Sequence, residues 1–181
     1  MPSMRFRLRR LGGWREWLLM GLTLATADVL GGQVVSFWAL DIPTLERAYR
    51  VSSDVYHHDL VRSFDGVGWW GREPYAMRTN SLGFKDGSAR NVALDARRPR
   101  ILLIGDSFTE GVGLEFSETY AGLIAAELES NGIDVLNAGV SSYSPSIYFT
   151  KVRYLLEQVG LEFTEVVVFI DISDIQDEAL Y

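Results

Sequence analysis

The chain has no cysteine among its 181 residues, and its only two histidines are the adjacent His57 and His58. The absence of cysteine excludes disulfide bonds, thiolate metal sites and a cysteine nucleophile, while it leaves the redox compartment open. The two histidines precede the predicted core by more than forty residues, and no carboxylate partner can be assigned to them. We therefore expect a surface or packing role for both, rather than catalysis.

Acidic residues are absent from positions 1–15, which hold five arginines: Arg5, Arg7, Arg9, Arg10 and Arg15. The chain as a whole nevertheless carries a formal net charge of −7 at pH 7. A basic arm that adjoins an apolar stretch is typical of a segment that orients a protein in a membrane. The acidic remainder argues against a polyanionic partner, so we predict that the protein binds no nucleic acid.

Charge is also scarce in residues 17–40, where Asp28 is the single charged side chain. At about 1.5 Å rise per residue, a helix of this length spans a hydrocarbon core of roughly 30 Å. We predict a single-pass transmembrane anchor here, in the inner (cytoplasmic) membrane, with the arginines cytoplasmic and the remainder periplasmic. A signal peptide cleaved after the small residues 25–27 and a buried core helix remain alternatives.

Hydrophobic residues make up 48% of the whole chain. Outside the apolar stretch 17–40, they suffice for one hydrophobic core of ordinary size. We predict four parts: a basic cytoplasmic arm, a transmembrane anchor, a connector and lead-in segment, and an α/β domain. Their boundaries are 1–16, 17–40, 41–99 and 100–181. Within the connector, the pattern predicts a short helix over 42–51, a strand over 75–79, and a pair of tryptophans, Trp69 and Trp70, that cover apolar surface.

From residue 100 onward, apolar runs alternate with amphipathic stretches. The runs at 101–104, 133–136 and 165–170 predict buried strands, and helices are predicted from Ser117 to about 130 and from Pro145 to about 160. Strands that alternate with helices imply right-handed crossovers and a parallel sheet, in the class of three-layer α/β/α folds.

Each predicted strand is followed by small and polar residues, and the carboxyl ends of parallel strands meet at one sheet edge, where ligands bind. The three segments are Gly105-Asp106-Ser107, Asn137-Ala138-Gly139 and Asp171-Ile172-Ser173-Asp174. A serine hydroxyl delivered to this edge is a candidate nucleophile. The sequence therefore predicts a site around Ser107.

These segments, in this order, resemble the blocks of the SGNH (GDSL-type) hydrolase family. The resemblance covers roughly residues 75–181 and includes the stretch 78–86, which is similar to a lead-in of exported bacterial members. It implies a flavodoxin-like fold and an acyl-serine mechanism in which Ser107 attacks an ester, with the backbone N–H groups of Ser107 and Gly139 as oxyanion donors. Ser173 stands where the family has an asparagine donor. No cofactor and no metal is implied.

The Asp-x-x-His block of the family is absent, so we expect the chain to be a truncated SGNH domain that is inactive as it stands. The resemblance implies an acyl ester or an O-acetylated carbohydrate as substrate. Two alternatives remain: an O-acetyltransferase that acts on a cell-surface carbohydrate, and an inert SGNH-like binding module. Acidic residues 171–178 could hold a cation, but they are more typical of a solvated helix start.

Overall fold

The structure is a computed structural model and describes residues 13–39, 48–71 and 73–179. The chain divides into two compact units, residues 1–41 and 42–181. In the first unit a single helix, α1, covers Trp14–Ala39. No helix in the described part of the chain combines the length and the mean hydropathy needed to cross a membrane. Residue 40 lies outside the described residues, and the anchor over 17–40 stays a prediction.

The second unit begins with two antiparallel hairpins. The first pairs β1 (Arg50–Ser53) with β2 (His57–Leu60), and the second pairs β3 (Asp65–Trp70) with β4 (Glu73–Arg78). The helix predicted over 42–51 is wrong at its carboxyl end, because residues 50 and 51 belong to β1. Its residues 42–47 lie outside the described residues. The strand predicted over 75–79 corresponds to β4.

A three-stranded parallel sheet follows, in the order β6-β5-β7. Its strands are β5 (Arg100–Ile104), β6 (Asp134–Asn137) and β7 (Glu165–Val168). The prediction of parallel strands in an α/β fold is confirmed, and the observed strand ends differ from the predicted ones by one or two residues. Residues 169–170, which were assigned to the third strand, lie beyond β7.

Helices separate these strands along the chain, and one further helix follows the last strand. They are α2 (Ser107–Glu110), a 3₁₀ turn (Phe116–Glu118), α3 (Tyr120–Glu129), α4 (Pro145–Tyr154) continued by a π turn (Leu155–Val159), and α5 (Asp174–Glu178). The helix predicted from Ser117 begins later, because Thr119 is its N-cap and its hydroxyl accepts a 3.0 Å hydrogen bond from the Gly122 N–H.

Alternate residues of the central strand face two apolar layers, as a sheet covered on both faces requires. Leu102 packs with Leu155 and Leu161 at the end of α4, whereas Leu103 packs with Ala121 of α3. A third cluster joins the hairpins to the core through aromatic and aliphatic side chains: Tyr49, Tyr56, Leu60, Tyr75, Met77, Ile104, Val140, Tyr143, Ile147 and Tyr148. The segment predicted as a connector is therefore packed against the α/β core.

A buried ion pair crosses this third cluster. Lys151 of α4 is fully buried, and its Nζ lies 2.8 Å from Asp59 Oδ1 of β2 and 3.0 Å from the Tyr143 hydroxyl. Burial lowers the pKa of Lys151, whereas Asp59 opposes that effect. The pair fixes the first hairpin over the carboxyl end of the sheet, and this placement determines what surrounds Ser107.

Candidate active site

Ser107 is the first residue of α2, directly after the central strand β5. Gly105 permits the turn, since a Cβ at this position would collide with Thr109 Oγ1 and lie 3.0 Å from the carbonyl oxygen of Phe169. Asp106 is the N-cap, and its Oδ1 accepts a 3.0 Å hydrogen bond from the Phe108 N–H. The backbone therefore turns sharply after the buried strand β5, and this turn places Ser107 at the edge of the sheet.

The ends of β5 and β7 meet at this point, as the sequence predicts. Asp106 Oδ2 lies 3.4 Å from the Ser107 hydroxyl and 3.1 Å from the Ser173 hydroxyl. The Ser173 hydroxyl also lies 2.6 Å from Asp171 Oδ1, so two carboxylates share its neighbourhood. Burial raises the pKa of Asp106, and the negative charge of Asp171 raises it further, while hydrogen bonds from Ser173 lower the pKa of Asp171.

Gly139 lies behind α2. Its N–H donates a 3.1 Å hydrogen bond to Asn137 Oδ1, and Asn137 Nδ2 donates one of 2.7 Å to the carbonyl oxygen of Thr109. A Cβ at Gly139 would lie 2.6 Å from the Thr109 side chain. The structure thus shows Gly139 as a close-packing residue whose amide is engaged with Asn137, and its assignment as an oxyanion donor stays a prediction.

Ser107 lines a cavity of about 1070 Å³ within the second unit. One wall is apolar and includes Phe108, which follows the serine, and Trp70 from the end of β3. Trp70 is 62% exposed and packs over Gly113, where a Cβ would lie 3.0 Å from the indole. The prediction that Trp70 covers the apolar surface of the domain is therefore corrected: this indole faces the cavity and the solvent.

A second wall comes from β1, from the β1–β2 hairpin and from the loop after β6. Its polar members are Arg50, Ser52, His57, His58, Ser141 and Ser142, beside the apolar Val51. The surface or packing role expected for the histidines is incomplete, because the structure places both in the cavity that Ser107 lines. Sequence periodicity does not show which distant strand end a hairpin will pack against. The position of the two histidines in the Ser107 cavity could therefore not be predicted from the sequence.

Glu110 connects three elements around the cavity: α2, strand β1 and the loop after β6. Its side chain is fully buried and pairs with Arg50 of β1 through two hydrogen bonds of 3.1 Å each. Glu110 Oε2 also accepts a 2.7 Å hydrogen bond from the Ser141 N–H. The carboxylate at the end of α2 therefore fixes both the hairpin and the loop after β6. The sequence offered no signal for this role beyond an acid three residues after the serine.

One group of carboxylates within the described residues has the proximity that a metal site requires. Oxygens of Asp106, Asp171 and Asp174 all lie within 4.8 Å of one another. Several of these oxygens accept hydrogen bonds: Asp174 accepts one of 2.7 Å from the Tyr148 hydroxyl and one of 3.1 Å from the Asp171 N–H. Hydrogen bonds from other protein groups thus engage several of the carboxylate oxygens in this cluster. Glu178, from the same acidic run, is not part of this cluster; its Oε2 accepts a 3.1 Å hydrogen bond from the Ser146 N–H.

Two solved structures that are similar to this chain are forms of one enzyme. AlinE4, described as a SGNH-hydrolase family esterase, is 24% identical with a TM-score of 0.39, and the match covers 46% of this chain and 46% of that chain. A mutant of esterase AlinE4 is 25% identical with a TM-score of 0.39, covering 45% of this chain and 44% of that chain. The chain thus matches less than half the length of either neighbour. No protein-family model and no curated protein matches it.

Proposed function

We propose that the chain carries the nucleophile-bearing part of a serine hydrolase of the SGNH kind that cleaves ester bonds. The observation that supports this most is the placement of Ser107: at the carboxyl end of the central parallel strand, within a large cavity, and beside the end of β7. Ligands of open α/β sheets bind at this edge, and a hydroxyl there can reach an acyl carbon.

In the proposed reaction, Ser107 Oγ bonds to the ester carbonyl carbon and the alcohol departs, which leaves an acyl-serine that water then hydrolyses. The developing oxyanion needs donors, and each is typically worth about 2.7 to 4 kcal/mol of transition-state stabilisation. The Ser107 N–H is the first proposed donor. The Gly139 N–H can contribute only if its hydrogen bond to Asn137 opens, and the Ser173 hydroxyl only if it turns away from the two carboxylates.

Reaction with a fluorophosphonate probe tests the proposal, because such probes phosphonylate activated serines. Labelling needs a single attack by the serine and no turnover, so the wild-type chain should gain one adduct even without the Asp-x-x-His block, measured by intact mass, and Ser107→Ala should gain none. Ser130→Ala is the matched control, since Ser130 is an exposed serine outside the cavity and its loss should leave labelling unchanged. A wild-type chain that stays unlabelled would contradict an activated Ser107 in this chain, which is the outcome expected both of the inert binding module and of a domain that needs the Asp-x-x-His block.

The size of the cavity favours a second candidate, transfer of the acyl group to a carbohydrate hydroxyl. A volume of about 1070 Å³ is slightly above the usual range of ligand pockets, about 300–1,000 Å³, and has room for an acceptor beside the acyl group. Release of p-nitrophenol from p-nitrophenyl acetate, measured with and without a glycan, separates the two. An acetylated glycan product identifies a transferase, whereas free acetate alone identifies a hydrolase.

A further inference from the structure

The apolar wall of the Ser107 cavity is formed by four side chains: Trp70, Phe108, Val112 and Leu114. Three of them are large and open to solvent, since Phe108 is 69% exposed, Trp70 62% and Leu114 44%. Apolar surface in water is unfavourable, and a patch of it that lines a pocket is typical of a ligand-binding groove. The wall therefore indicates an apolar ligand group next to the candidate nucleophile.

The backbone fixes part of this wall relative to Ser107. The carbonyl oxygen of Ser107 accepts hydrogen bonds from the Gly111 N–H at 2.9 Å and from the Val112 N–H at 3.2 Å. Trp70 in turn covers Gly113, where an added Cβ would lie 3.0 Å from the indole. Val112 and the Trp70 indole are thus placed by contacts that begin at the nucleophile itself.

Lys85 holds the same loop through its carbonyl groups. The buried Nζ of Lys85 donates hydrogen bonds of 2.6 Å to the carbonyl oxygens of Gly111 and Leu114. Gly111 has a φ of +71° and packs so closely on Thr119 that a Cβ would collide with it. The loop that presents Val112 and Leu114 is therefore formed before any ligand binds, and a preorganised surface of this kind loses little conformational entropy on binding.

The chemistry of the wall selects among ligand groups. The charged side chain among the described residues of the cavity lining, Arg50, belongs to the second wall and pairs with the buried Glu110. Aromatic rings can stack on a sugar, but Val112 and Leu114 offer no side-chain hydrogen bond, so sugar hydroxyls against them would lose their partners in water. An uncharged hydrocarbon chain meets no such cost.

We propose that the apolar wall binds a linear aliphatic acyl chain, so that esters of medium-chain acids react in preference to acetyl esters. This rests on the proposed function, because the bond between Ser107 Oγ and the carbonyl carbon is what places the acyl chain in the cavity. Phe108, the next residue, is the first part of the wall that the chain meets. The cavity volume of about 1070 Å³ leaves room for such a chain.

Two fluorophosphonates that differ only in the alkyl group on phosphorus test the proposal. One carries a methyl group and the other an octyl group, each beside the same ethoxy group, and in both the Ser107 oxygen bonds to phosphorus as fluoride departs. The labelling rate constant is measured by intact mass on the full chain, below the concentration at which the octyl probe forms micelles. The octyl probe should react at least about tenfold faster, because each fully buried methylene is worth about fourfold in binding.

The ratio of the octyl rate to the methyl rate separates chain binding from a structural role. Trp70→Ala and Leu114→Ala should each lower this ratio about fivefold or more, while the methyl rate stays within about twofold of the wild type. Trp70→Phe keeps an aromatic ring and should retain most of the ratio. Phe149→Ala is the matched control, since Phe149 of α4 is 66% exposed and does not line the cavity, and both of its rates should match the wild type.

Binding to Ser107→Ala, measured by isothermal titration calorimetry, gives a readout that needs no reaction. Octanamide and acetamide are both neutral and differ only in the alkyl chain. Octanamide should bind at least about tenfold more tightly than acetamide. Adding Trp70→Ala to Ser107→Ala should weaken the binding of octanamide about fivefold or more.

Equal labelling by the two probes, or a ratio that neither alanine substitution lowers, overturns the acyl-chain assignment and leaves the proposed function standing. Absence of Ser107 labelling by both probes overturns the proposed function. In that case the titration still decides about the wall: octanamide that binds no more tightly than acetamide overturns the assignment too, whereas a preference that Trp70→Ala removes supports it as the ligand groove of a binding module.

Discussion

Arg50 and Glu110 are joined by two parallel hydrogen bonds of 3.1 Å, although sixty positions separate them in the sequence. The Glu110 side chain is fully buried, and Arg50 is 22% exposed. A bidentate pair of this kind fixes orientation as well as distance. It ties the first strand of the hairpin to the helix that begins with Ser107, and so holds the two walls of the cavity together.

We predict that Arg50→Ala lowers the free energy of unfolding by about 3 kcal/mol, the lower end of the range for breaking a buried pair, because Arg50 keeps some contact with water. The loss arises from the carboxylate of Glu110, which would stay buried without its cation. Urea denaturation measures the effect. Arg97→Ala is the control, since that guanidinium is 88% exposed beside Asp95, and it should change stability by less than about 0.5 kcal/mol. Equal effects of the two substitutions would contradict the role given to the pair.

Gly139→Ala tests the close packing behind α2. The added methyl would meet the Thr109 side chain at 2.6 Å and the Glu110 N–H at 2.9 Å, so the helix that carries Ser107 must move. We expect a loss of about 1–3 kcal/mol in the free energy of unfolding, as for overpacked interiors, together with slower labelling of Ser107. Gly87→Ala is the matched control, because its new methyl would meet only Phe116 at an ordinary 3.6 Å. A fully stable, normally reactive Gly139→Ala chain would show that the contact is unimportant.

We predict that Lys85 makes the free energy of unfolding depend on pH in the alkaline range. Its Nζ is buried and donates hydrogen bonds of 2.6 Å to the carbonyl oxygens of Gly111 and Leu114, in the loop after α2. Burial lowers the pKa of Lys85 from 10.5 to about 8. Above that pH the folded chain has released this proton while the unfolded chain still binds it, so the contribution of Lys85 to stability rises with pH between about 8 and 10.5.

The measurement compares the unfolding free energies of the wild type and Lys85→Met from pH 7 to pH 9.5. This range ends below pH 10, where ionisation of tyrosines in the unfolded chain would add its own effect. The difference between the two proteins should move in favour of the wild type above about pH 8. The neutral amine keeps two N–H groups for its two carbonyl partners, which makes this direction possible. A difference that is constant, or that falls with pH, would contradict a lowered pKa.

The sequence predicted the elements that local patterns encode. Apolar runs followed by small or polar residues predicted all three parallel strands, and Pro145 predicted the start of α4. It also placed Ser107 and Ser173 at one edge, which the structure confirms through their shared neighbour Asp106. These features depend on residues that lie close together in the chain.

The parts that could not be predicted depend on long-range contacts. The hairpin of β1 and β2 has short strands with mixed polarity, and its position is fixed by Lys151 on α4 and by Glu110 on α2. Nothing in the order of residues shows that Asp59 will meet Lys151. For the same reason the sequence could not show that the histidines line the cavity, or that the amide of Gly139 is engaged with Asn137.

The most direct test of the account is to treat the full chain with p-nitrophenyl acetate, quench it with acid and locate the acetyl group by peptide mass spectrometry. The account predicts that acetyl accumulates on the peptide that contains Ser107, and that this peptide stays unmodified in Ser107→Ala. Acetyl found only on lysines or on serines outside the cavity would contradict the proposal that Ser107 is the nucleophile.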